Sequence, residues 1–343
     1  MKALITGITG QDGSYLAEFL ISRGYEVHGL TRPRSEDTYQ RIADYCNQIT
    51  LHQVDLQDQL ALIKIIEQVN PDEIYHLAGM DQSDEGWDQP WLCSQINGLA
   101  TLRLLEAVRL VRPGVKFFHA SSYALFGRPM VSPQTEKTAV RPITPLGAAK
   151  AFAHSMVTNY RERYGLKIST AILYDHESPR RNARCLTRQI TRAAANIKLG
   201  MQSTIDLDTI NINRDWGHAA DYVRSYWMML QNSTPDDFII ATGKLHSLED
   251  FCREAFSSVN LDWRDHVRVK GHGGTGITGS PLVGNTTHAR RQLLWEPEIS
   301  FEAMISEMVA ADMPAKLPGL ADDLLSAPSV NRLHRLDREK VGI

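Results

Sequence analysis

The sequence predicts an α/β fold, a doubly wound parallel sheet followed by a smaller C-terminal region. Short apolar runs alternate with helical patterns through the first half of the chain, as they do in repeated β–α–β units with right-handed crossovers. A glycine-rich turn at residues 7–13 directly follows the first apolar run. After about residue 175 the loops lengthen and the apolar runs shorten, which indicates that a different architecture begins there.

Each predicted strand is a short run of apolar and β-branched residues, the composition of strands that are buried on both faces. The predicted strands span residues 3–6, 26–30, 51–54, 73–77, 115–119 and 167–173, with a late strand at 238–241. Each predicted helix instead carries apolar residues three and four positions apart. The predicted helices span residues 14–23, 60–66, 96–109, 148–164, 186–199, 219–230 and 301–311.

Composition and charge exclude several classes of protein. The 343 residues are 43% hydrophobic and 22% charged, values far from those of a disordered or collagen-like chain. The net charge of −3 argues against nucleic acid as the main partner, and the lack of a run of about 20 apolar residues argues against a membrane. The four cysteines are too dispersed for a metal site or a disulfide framework, which favours a reducing cytoplasm.

The turn after the first strand has the composition of a phosphate-binding loop. Its three glycines are spaced at i, i+3 and i+6, which permits a tight turn, a close approach of pyrophosphate to the backbone and close helix packing. The N–H groups at the start of the following helix then face an anion. The candidate cofactor residues of this turn are Gly7, Thr9, Gly10, Gln11, Asp12 and Gly13.

The end of the second strand predicts which dinucleotide binds. An acidic residue there would hold the ribose hydroxyls of NAD. This chain instead has Arg32, Arg34 and Ser35, which can hold the 2′-phosphate of NADP, although an exposed basic loop is the alternative. Further cofactor contacts are expected from Asp55 and Leu56, near the adenine, and from Leu77, Ala78 and Gly79, near the adjoining ribose and pyrophosphate.

Longer segments carry a more specific resemblance. The glycine spacing is characteristic of the short-chain dehydrogenase/reductase superfamily, whose extended members have a Rossmann sheet and a smaller substrate region. Six motifs, which together span roughly residues 1–311, are similar to those of the GDP-mannose 4,6-dehydratase family. They are KALITGITGQDGSYLAE at 2–18, PDEIY at 71–75, TLRLLEA at 101–107, HESPRR at 176–181, RDWGHA with DYV at 214–223, and residues 295–309.

The resemblance implies an activity and a set of catalytic residues. Members of this family oxidise the sugar at C4 with NADP, eliminate water across C5–C6 and return the hydride to C6. A tyrosine and a lysine four residues later supply the base at C4, and a threonine polarises the same hydroxyl. A glutamate two residues after that threonine handles the C5 proton and the departing water. Such acid–base chemistry needs titratable groups within hydrogen-bond reach.

This chain departs from that pattern at the two main acid–base positions. Ser122 stands for the threonine and keeps the hydroxyl, and Lys150 keeps the lysine. Ala124 replaces the glutamate and Leu146 replaces the tyrosine, so hydride transfer and dehydration by the family route are both in doubt. Tyr123 is either a packed or cofactor-covering aromatic residue or a replacement base.

Other positions follow the family more closely. The resemblance implies that Lys150 holds the nicotinamide ribose and that His176 and Arg181 lie at the cofactor. Arg214 matches an arginine that binds the nucleotide diphosphate, whereas Asp175 stands where the family has an asparagine. Two further positions, an arginine and a glutamate in the family, hold Thr275 and Thr278. Two titratable residues outside the family set are His119, expected to be a satisfied core histidine, and Asp81, after the fourth strand.

The sequence therefore predicts an NADP-dependent enzyme derived from a nucleotide-sugar dehydratase, with changed chemistry or a changed substrate. The alternative is an NADP-binding pseudoenzyme that serves as a regulatory or partner subunit, and unmodified GDP-mannose dehydration is the least favoured. The predicted regions are residues 1–175 for NADP, residues 176–313 mainly for substrate, and a tail at 314–343 that is either solvated or packed on a neighbouring subunit. The resemblance implies a homodimer or homotetramer.

Overall fold

The structure is a computed structural model that describes residues 1–32, 36–80, 86–271 and 281–313, with only the backbone described at 36–38. Several positions singled out in the sequence lie outside these residues. They are Arg34, Ser35, Asp81, Thr275, Thr278 and the tail at 314–343. What the sequence predicts for them stays a prediction.

Strands and helices alternate through the first half of the chain. The strands are β1 (Lys2–Thr6), β2 (Glu26–Thr31), β3 (Ile49–Gln53), β4 (Glu73–His76), β5 (Lys116–Ser122), β6 (Lys167–Leu173), β7 (Asp175–Glu177), β8 (Ile205–Leu207), β9 (Asn213–Arg214), β10 (Trp216–His218), β11 (Asp237–Ile240), β12 (His246–Ser247) and β13 (Val267–Val269). The α-helices are α1 (Gln11–Ser22), α2 (Gln59–Val69), α3 (Pro90–Ser94), α4 (Ala100–Val111), α5 (Pro145–Tyr164), α6 (Leu186–Lys198), α7 (Ala219–Gln231), α8 (Leu248–Ser257), α9 (Thr287–Leu293) and α10 (Phe301–Asp312). Short 3₁₀ segments cover Glu36–Gln48, Tyr123–Phe126 and Trp263–Asp265, and a π-helical turn covers Gln95–Leu99.

Seven of these strands form one parallel sheet in the order β11-β6-β5-β4-β1-β2-β3. The order switches at β1, because β2 and β3 lie on one side of it and β4, β5 and β6 on the other. Doubly wound sheets bind their ligands outside the carboxyl ends of the strands at such a switch. The predicted fold class is confirmed, and the late strand predicted at 238–241 is β11, at the sheet edge.

Helices cover both faces of the sheet because its strands are apolar on both faces. On β5, Phe117 belongs to the apolar cluster that contains Leu104 of α4, whereas the next residue, Phe118, stacks on Tyr226 of α7 with ring centroids 4.4 Å apart. Successive side chains of a strand point to opposite faces. Helices α1 and α7 therefore cover one face, and α2, α4 and α5 cover the other.

Helices α3, α8 and α9 are absent from the sequence-based prediction, and α1 and α5 begin earlier than predicted. Helix α1 begins at Gln11 rather than at 14, because the glycine-rich segment itself forms the first turn. Helix α5 begins at Pro145, whose fixed φ suits a first helical turn, and the hydroxyl of Thr144 caps it. Helix α8 is absent from the prediction, although the capping box of Ser247 and Asp250 marks its start.

The described chain divides into two compact units. The first holds residues 1–176, 214–245 and 281–297 and contains the seven-stranded sheet. The second holds residues 177–213, 246–271 and 298–313, and in it α6, α8 and α10 pack together while β8 pairs in parallel with β13. There, Arg188 of α6 donates hydrogen bonds to the carbonyl of Met308 and the carboxylate of Asp312 on α10. Among the described residues, no helix is long and apolar enough to cross a membrane.

Gly13→Ala is expected to destabilise the first unit, because an added Cβ would lie 2.2 Å from the carbonyl oxygen of Gly7 and 2.6 Å from the Cα of Ile8. Overpacking of this kind costs about 1–3 kcal/mol and should lower the midpoint of urea unfolding. Gly114→Ala is the matched control, because a Cβ there meets nothing within 4 Å. Equal stability of the two variants would contradict the close packing of turn and helix.

Candidate functional site

The turn between β1 and α1 brings the backbone close to its neighbours. Gly7 has a φ of 74°, a left-handed conformation that favours glycine, and the amide of Gly10 donates to its carbonyl (2.9 Å). A Cβ on Gly7 would lie 2.8 Å from the backbone of Ala78, so the turn lies close to the end of β4. On the same turn, the carbonyl of Thr9 accepts a hydrogen bond from the side chain of Arg41 (3.3 Å). Gly10 is the N-cap of α1 and has no side chain that could accept from the first turn. The helix start therefore fits a pyrophosphate.

Asp12, in the first turn of α1, is partly buried and joins three segments. Its carboxylate accepts from the hydroxyl of Tyr226 (2.7 Å) and from Nε2 of His176 (2.9 Å), while Gln11 donates to the carbonyl of His176 (3.0 Å). Nδ1 of His176 donates to the carbonyl of Tyr174 (2.7 Å), which fixes the orientation of the ring. Burial alone would raise the pKa of Asp12, but His176 and these hydrogen bonds lower it to about 2.

A buried chain of hydrogen bonds fixes the end of β4 beside the turn. The hydroxyl of Thr6 accepts from the amide of Ala78 (3.1 Å) and bonds to Nδ1 of His76 (2.8 Å), whose Nε2 bonds to the hydroxyl of Thr101 (3.1 Å). Burial lowers the pKa of His76 to about 3, so the ring is neutral at physiological pH. The role of His76 in this network was not predicted from the sequence, because a histidine within an apolar strand does not reveal which residues it will bond to.

Asn97, on the π-helical turn, holds the segment that follows β4. Its side-chain oxygen accepts from the amide of Met80 (3.2 Å), and its side-chain nitrogen donates to Sγ of Cys93 (3.4 Å). A Cβ on Gly79 would lie 2.8 Å from the same oxygen, so this position needs glycine. The candidate cofactor residues Leu77–Gly79 are thereby held at the switch point of the sheet.

The positions aligned with the catalytic residues come together at the end of β5 and the start of α5. The hydroxyl of Ser122 accepts from the amide of Ala124 (3.2 Å) and caps the 3₁₀ segment. A Cβ on Gly147 would lie 2.5 Å from the carbonyl oxygen of Ala124, so the first turn of α5 packs directly on this loop. Leu146 lies in that turn and is only 3% exposed. Neither Ala124 nor Leu146 carries a group that can exchange a proton.

Lys150 lies one turn further along α5, facing the ends of β4 and β5. Its ammonium donates to the carbonyl of Ala120 (2.8 Å), and a Cβ on Gly79 would lie 3.9 Å from the same nitrogen. Burial lowers the pKa of Lys150 to about 8, while Cys93 acts in the opposite direction. Lys150 therefore supplies an amine that gains or loses a proton near physiological pH.

Tyr123 is packed against another aromatic residue. Its ring stacks on that of Tyr174, with centroids 5.3 Å apart and an interplanar angle of 26°. Tyr174 is buried and donates from its hydroxyl to the side-chain oxygen of Gln134 (2.8 Å). Of the two alternatives that the sequence leaves for Tyr123, this stacking favours the packed aromatic residue.

The two candidate substrate residues pair with each other. Nε of Arg214 lies 3.5 Å from the carboxylate of Asp175, and the two side chains are 26% and 13% exposed. The next residue, Asp215, accepts from the amides of Thr242 (2.8 Å) and Gly243 (2.9 Å). Burial raises the pKa of Asp215 against the effect of these bonds. The backbone beside Arg214 is thus tied to the loop after β11.

The other candidate cofactor residues are more dispersed. Arg32 follows β2 and is exposed. Asp55 follows β3 and accepts a local backbone amide, and Leu56 packs against the apolar core. In the second unit, Arg181 pairs with Glu177 at 3.3 Å. Over the described ranges, no group of three or more His, Cys, Asp or Glu residues could hold a metal ion.

Comparison with known proteins finds relatives along most of the chain. The family model for GDP-mannose 4,6 dehydratase matches residues 4–308. GDP-mannose 4,6 dehydratase 2 of Caenorhabditis elegans is 42% identical over 338 residues, which cover 91% of this chain and 88% of that protein. GDP-mannose 4,6 dehydratase of Homo sapiens is 41% identical over 338 residues, covering 91% of each chain.

Solved structures share the fold at lower identity. The dTDP-glucose 4,6-dehydratase DesIV from Streptomyces venezuelae, solved with NAD and TYD bound, has a TM-score of 0.80 and 21% identity, with 91% of this chain and 96% of that chain covered. RMD from Pseudomonas aeruginosa, solved with NADPH, has a TM-score of 0.75 and 19% identity, with 91% and 97% covered. At these identities the likeness establishes the fold, and function must be argued from the site.

Asp12→Asn is expected to remove a pH-dependent part of the stability. Because the pKa of Asp12 falls from 3.8 to about 2 on folding, its stabilisation is complete above about pH 4 and is lost as the pH falls through about 2. By linkage this contribution is about 2 kcal/mol.

Urea unfolding at a series of pH values between about 4 and about 2 measures how much stability is lost as Asp12 becomes protonated. Stability should fall less steeply on the acid side in Asp12→Asn than in the parent protein. Asp44→Asn, which alters an exposed carboxylate, is the control and should keep the parent's acid profile. Identical profiles for the parent and Asp12→Asn would contradict the assigned network.

Proposed function

We propose that this chain, which belongs to the GDP-mannose 4,6-dehydratase family, is an NADP-dependent enzyme that acts on a nucleotide sugar by altered chemistry. The main support for the proposal is that the residues suited to bind a dinucleotide are present, whereas the positions expected to hold acid–base groups are apolar. The glycine turn and Lys150 keep an arrangement suited to a dinucleotide. By the sequence resemblance, Ala124 and Leu146 stand where family members carry the glutamate and the tyrosine that move protons.

Binding of a nicotinamide dinucleotide is supported by the β1–α1 turn and by the related structures solved with NAD or NADPH. The choice of NADP rests on Arg32, where an acidic residue would favour NAD, together with Arg34 and Ser35. The amides at the start of α1 would hold the pyrophosphate, and Lys150 the nicotinamide ribose. When bound, the nicotinamide supplies hydride transfer.

Proton chemistry at the sugar then comes from a reduced set of groups. Lys150, with a pKa of about 8, is present in both protonation states near physiological pH and can exchange a proton with a substrate hydroxyl. Ser122 can orient that hydroxyl, because its oxygen accepts from the amide of Ala124 while its own O–H stays available for donation. Elimination of water across C5–C6 also needs a group that removes the C5 proton, and neither Lys150 nor Ser122 is assigned that role. The proposed reaction is therefore an oxidation or reduction of the sugar without dehydration.

The altered ion pair supports a changed substrate. Asp175 places a negative charge 3.5 Å from Nε of Arg214 and so competes with a diphosphate for that guanidinium. A nucleotide sugar that binds here needs further contacts or a smaller dependence on Arg214. This argument supports a substrate other than GDP-mannose within the nucleotide-sugar class.

A second candidate function is an NADP-binding subunit without turnover. The polar groups left at the catalytic positions already have protein partners, since Ser122 bonds to the amide of Ala124 and Lys150 to the carbonyl of Ala120. Such a subunit would bind to an active relative and either regulate its activity or form part of a mixed oligomer with it. For either function we propose a homodimer or homotetramer located in the cytoplasm.

Arg32→Ala is expected to weaken binding of NADPH by about tenfold or more while leaving NADH nearly unchanged, because a charge-assisted bond to phosphate contributes about 1.5–3 kcal/mol. Calorimetric titration of the parent and the variant with both nucleotides measures this. Arg163→Ala, at the exposed end of α5, is the charge-matched control. Equal affinity of the parent protein for NADPH and NADH would overturn the NADP assignment.

The parent protein is expected to convert GDP-mannose to its 4-keto-6-deoxy product far more slowly than its relatives do. Loss of one positioned acid–base group costs about 10²–10⁴-fold, and two groups of one catalytic set do not simply multiply. The double variant Ala124→Glu with Leu146→Tyr should raise this rate, since it returns both groups to a backbone that still holds Ser122 and Lys150. Product formation followed by mass spectrometry measures the rate.

Ala124→Gln with Leu146→Phe is the control pair, because it adds similar volume without acid–base groups. It should stay at the parent's rate. Rapid dehydration of GDP-mannose by the parent would contradict the proposal of altered chemistry. A panel of nucleotide sugars assayed both for NADPH oxidation and for NADP reduction separates the two candidate functions, since only the enzyme changes the redox state of the cofactor.

A further inference from the structure

Between the sheet and α5 lies a group of buried polar atoms that have no hydrogen-bond partner among the residues that the structure describes. They are both ring nitrogens of His119, the hydroxyl oxygens of Ser121 and Thr170, and Nδ1 of His154. His119, Ser121 and Thr170 are each at most 2% exposed. This set lies apart from the residues that hold the glycine turn.

The strand geometry places three of these side chains on one face. His119 and Ser121 are two and four residues beyond Phe117, which belongs to the cluster on the α4–α5 side, so all three side chains point to that side. Thr170 of β6 is the register partner of His119. Partners in adjacent parallel strands share a face, so these three polar side chains form one polar patch under α5.

Helix α5 supplies the opposite wall. Lys150 and His154 are four residues apart and so lie on the same side of the helix. Lys150 donates to the carbonyl of Ala120, the residue after His119, and burial together with the charge of Lys150 lowers the pKa of His119. Nε2 of His154 lies 3.8 Å from the carboxylate of Asp237, and their side chains are 16% and 17% exposed. The cluster therefore reaches from the partly buried Lys150 to the partly exposed His154 and Asp237 at the sheet edge.

His76 provides an internal comparison. Its ring is stacked on that of His119 with centroids 5.8 Å apart, and it is equally buried. Yet both nitrogens of His76 have hydroxyl partners, Thr6 and Thr101. Within the described part of the chain His119 has no such partner, so the expectation of a satisfied core histidine is not met there. A buried nitrogen left unbonded is destabilising, and such groups in folded proteins bond to internal water.

We propose that His119, Ser121, Thr170 and His154 bind internal water, and that this hydrated cluster carries protons between Lys150 and the protein surface at His154. The proposal deepens the function proposed above, in which Lys150 exchanges a proton with the substrate. Lys150 is partly buried, and a bound dinucleotide would cover it further. An amine that exchanges protons in every turnover must then exchange them with solvent, and the cluster offers a polar route for this.

The proton balance along the route is simple. The ammonium of Lys150 gives a proton to a bound water, which passes one of its own protons to a ring nitrogen of neutral His119. The opposite N–H of that ring releases its proton to a second water, and His154 repeats the step, releasing a proton from Nε2 beside Asp237. One proton leaves Lys150 and one reaches solvent, each ring changes tautomer, and no electrons are transferred.

The first part of the proposal, that the cluster binds internal water, can be tested without measuring catalysis. In protein labelled with ¹⁵N-histidine, the ring N–H of His119 should exchange magnetisation with water, whereas that of the hydroxyl-bonded His76 should not. A crystal structure at a resolution that shows waters should place one within hydrogen-bond distance of a His119 nitrogen. Both nitrogens in contact with apolar atoms only, with no exchange to water, would overturn the proposal.

The transfer half is tested by the exchange rate of the Lys150 ammonium protons, observed by ¹⁵Nζ NMR. His119→Leu should slow this exchange by about tenfold or more, and His119→Gln should recover part of it, because it keeps polar atoms for water. His154→Phe, at a partly exposed position, gives the same test if His119→Leu does not fold. Unchanged exchange in these variants would overturn the relay. Because neither readout needs catalysis, failure of the relay and failure of the proposed function are distinguishable.

Discussion

The partly buried carboxylate of Asp12 is the interaction on which the rest of the site depends. Its backbone belongs to the first turn of α1, and its oxygens accept from His176 and from Tyr226 on α7. An ionised carboxylate that is partly removed from water is costly unless it is paired, and here the ring of His176 and the hydroxyl of Tyr226 stabilise it. The network thereby fixes the start of α1, and with it the amides that face a phosphate.

The scaffold accommodates apolar residues at the two positions proposed to have lost their acid–base groups. Leu146 fills the first turn of α5 as a buried apolar residue, and Gly147 allows that turn to approach Ala124 closely. Neither Ala124 nor Leu146 has a polar side chain that would need a partner there. A chain about 40% identical to dehydratases can therefore share their fold whichever reactive groups it carries.

Much of the fold could be predicted from the sequence, because the apolar period and the glycine turn are local signals. The strands of the sheet follow from them, whereas Lys150 was singled out by the family resemblance. The partners of Asp12 could not be predicted, because Tyr226 is more than two hundred positions away along the chain. Nor could the unsatisfied state of His119, since it depends on which side chains three separate elements bring to one face. The pairing of Asp175 with Arg214 could not be predicted either, because the two residues are distant in the sequence.

The central claim is that a dinucleotide site survives beside a depleted acid–base set. A crystal structure of the protein with NADPH bound tests it most directly. The account predicts the pyrophosphate on the amides at the start of α1, the nicotinamide ribose within hydrogen-bond distance of Lys150, and no other acid or base within reach of the nicotinamide. A nucleotide bound elsewhere, or another titratable side chain placed at the nicotinamide, would contradict it.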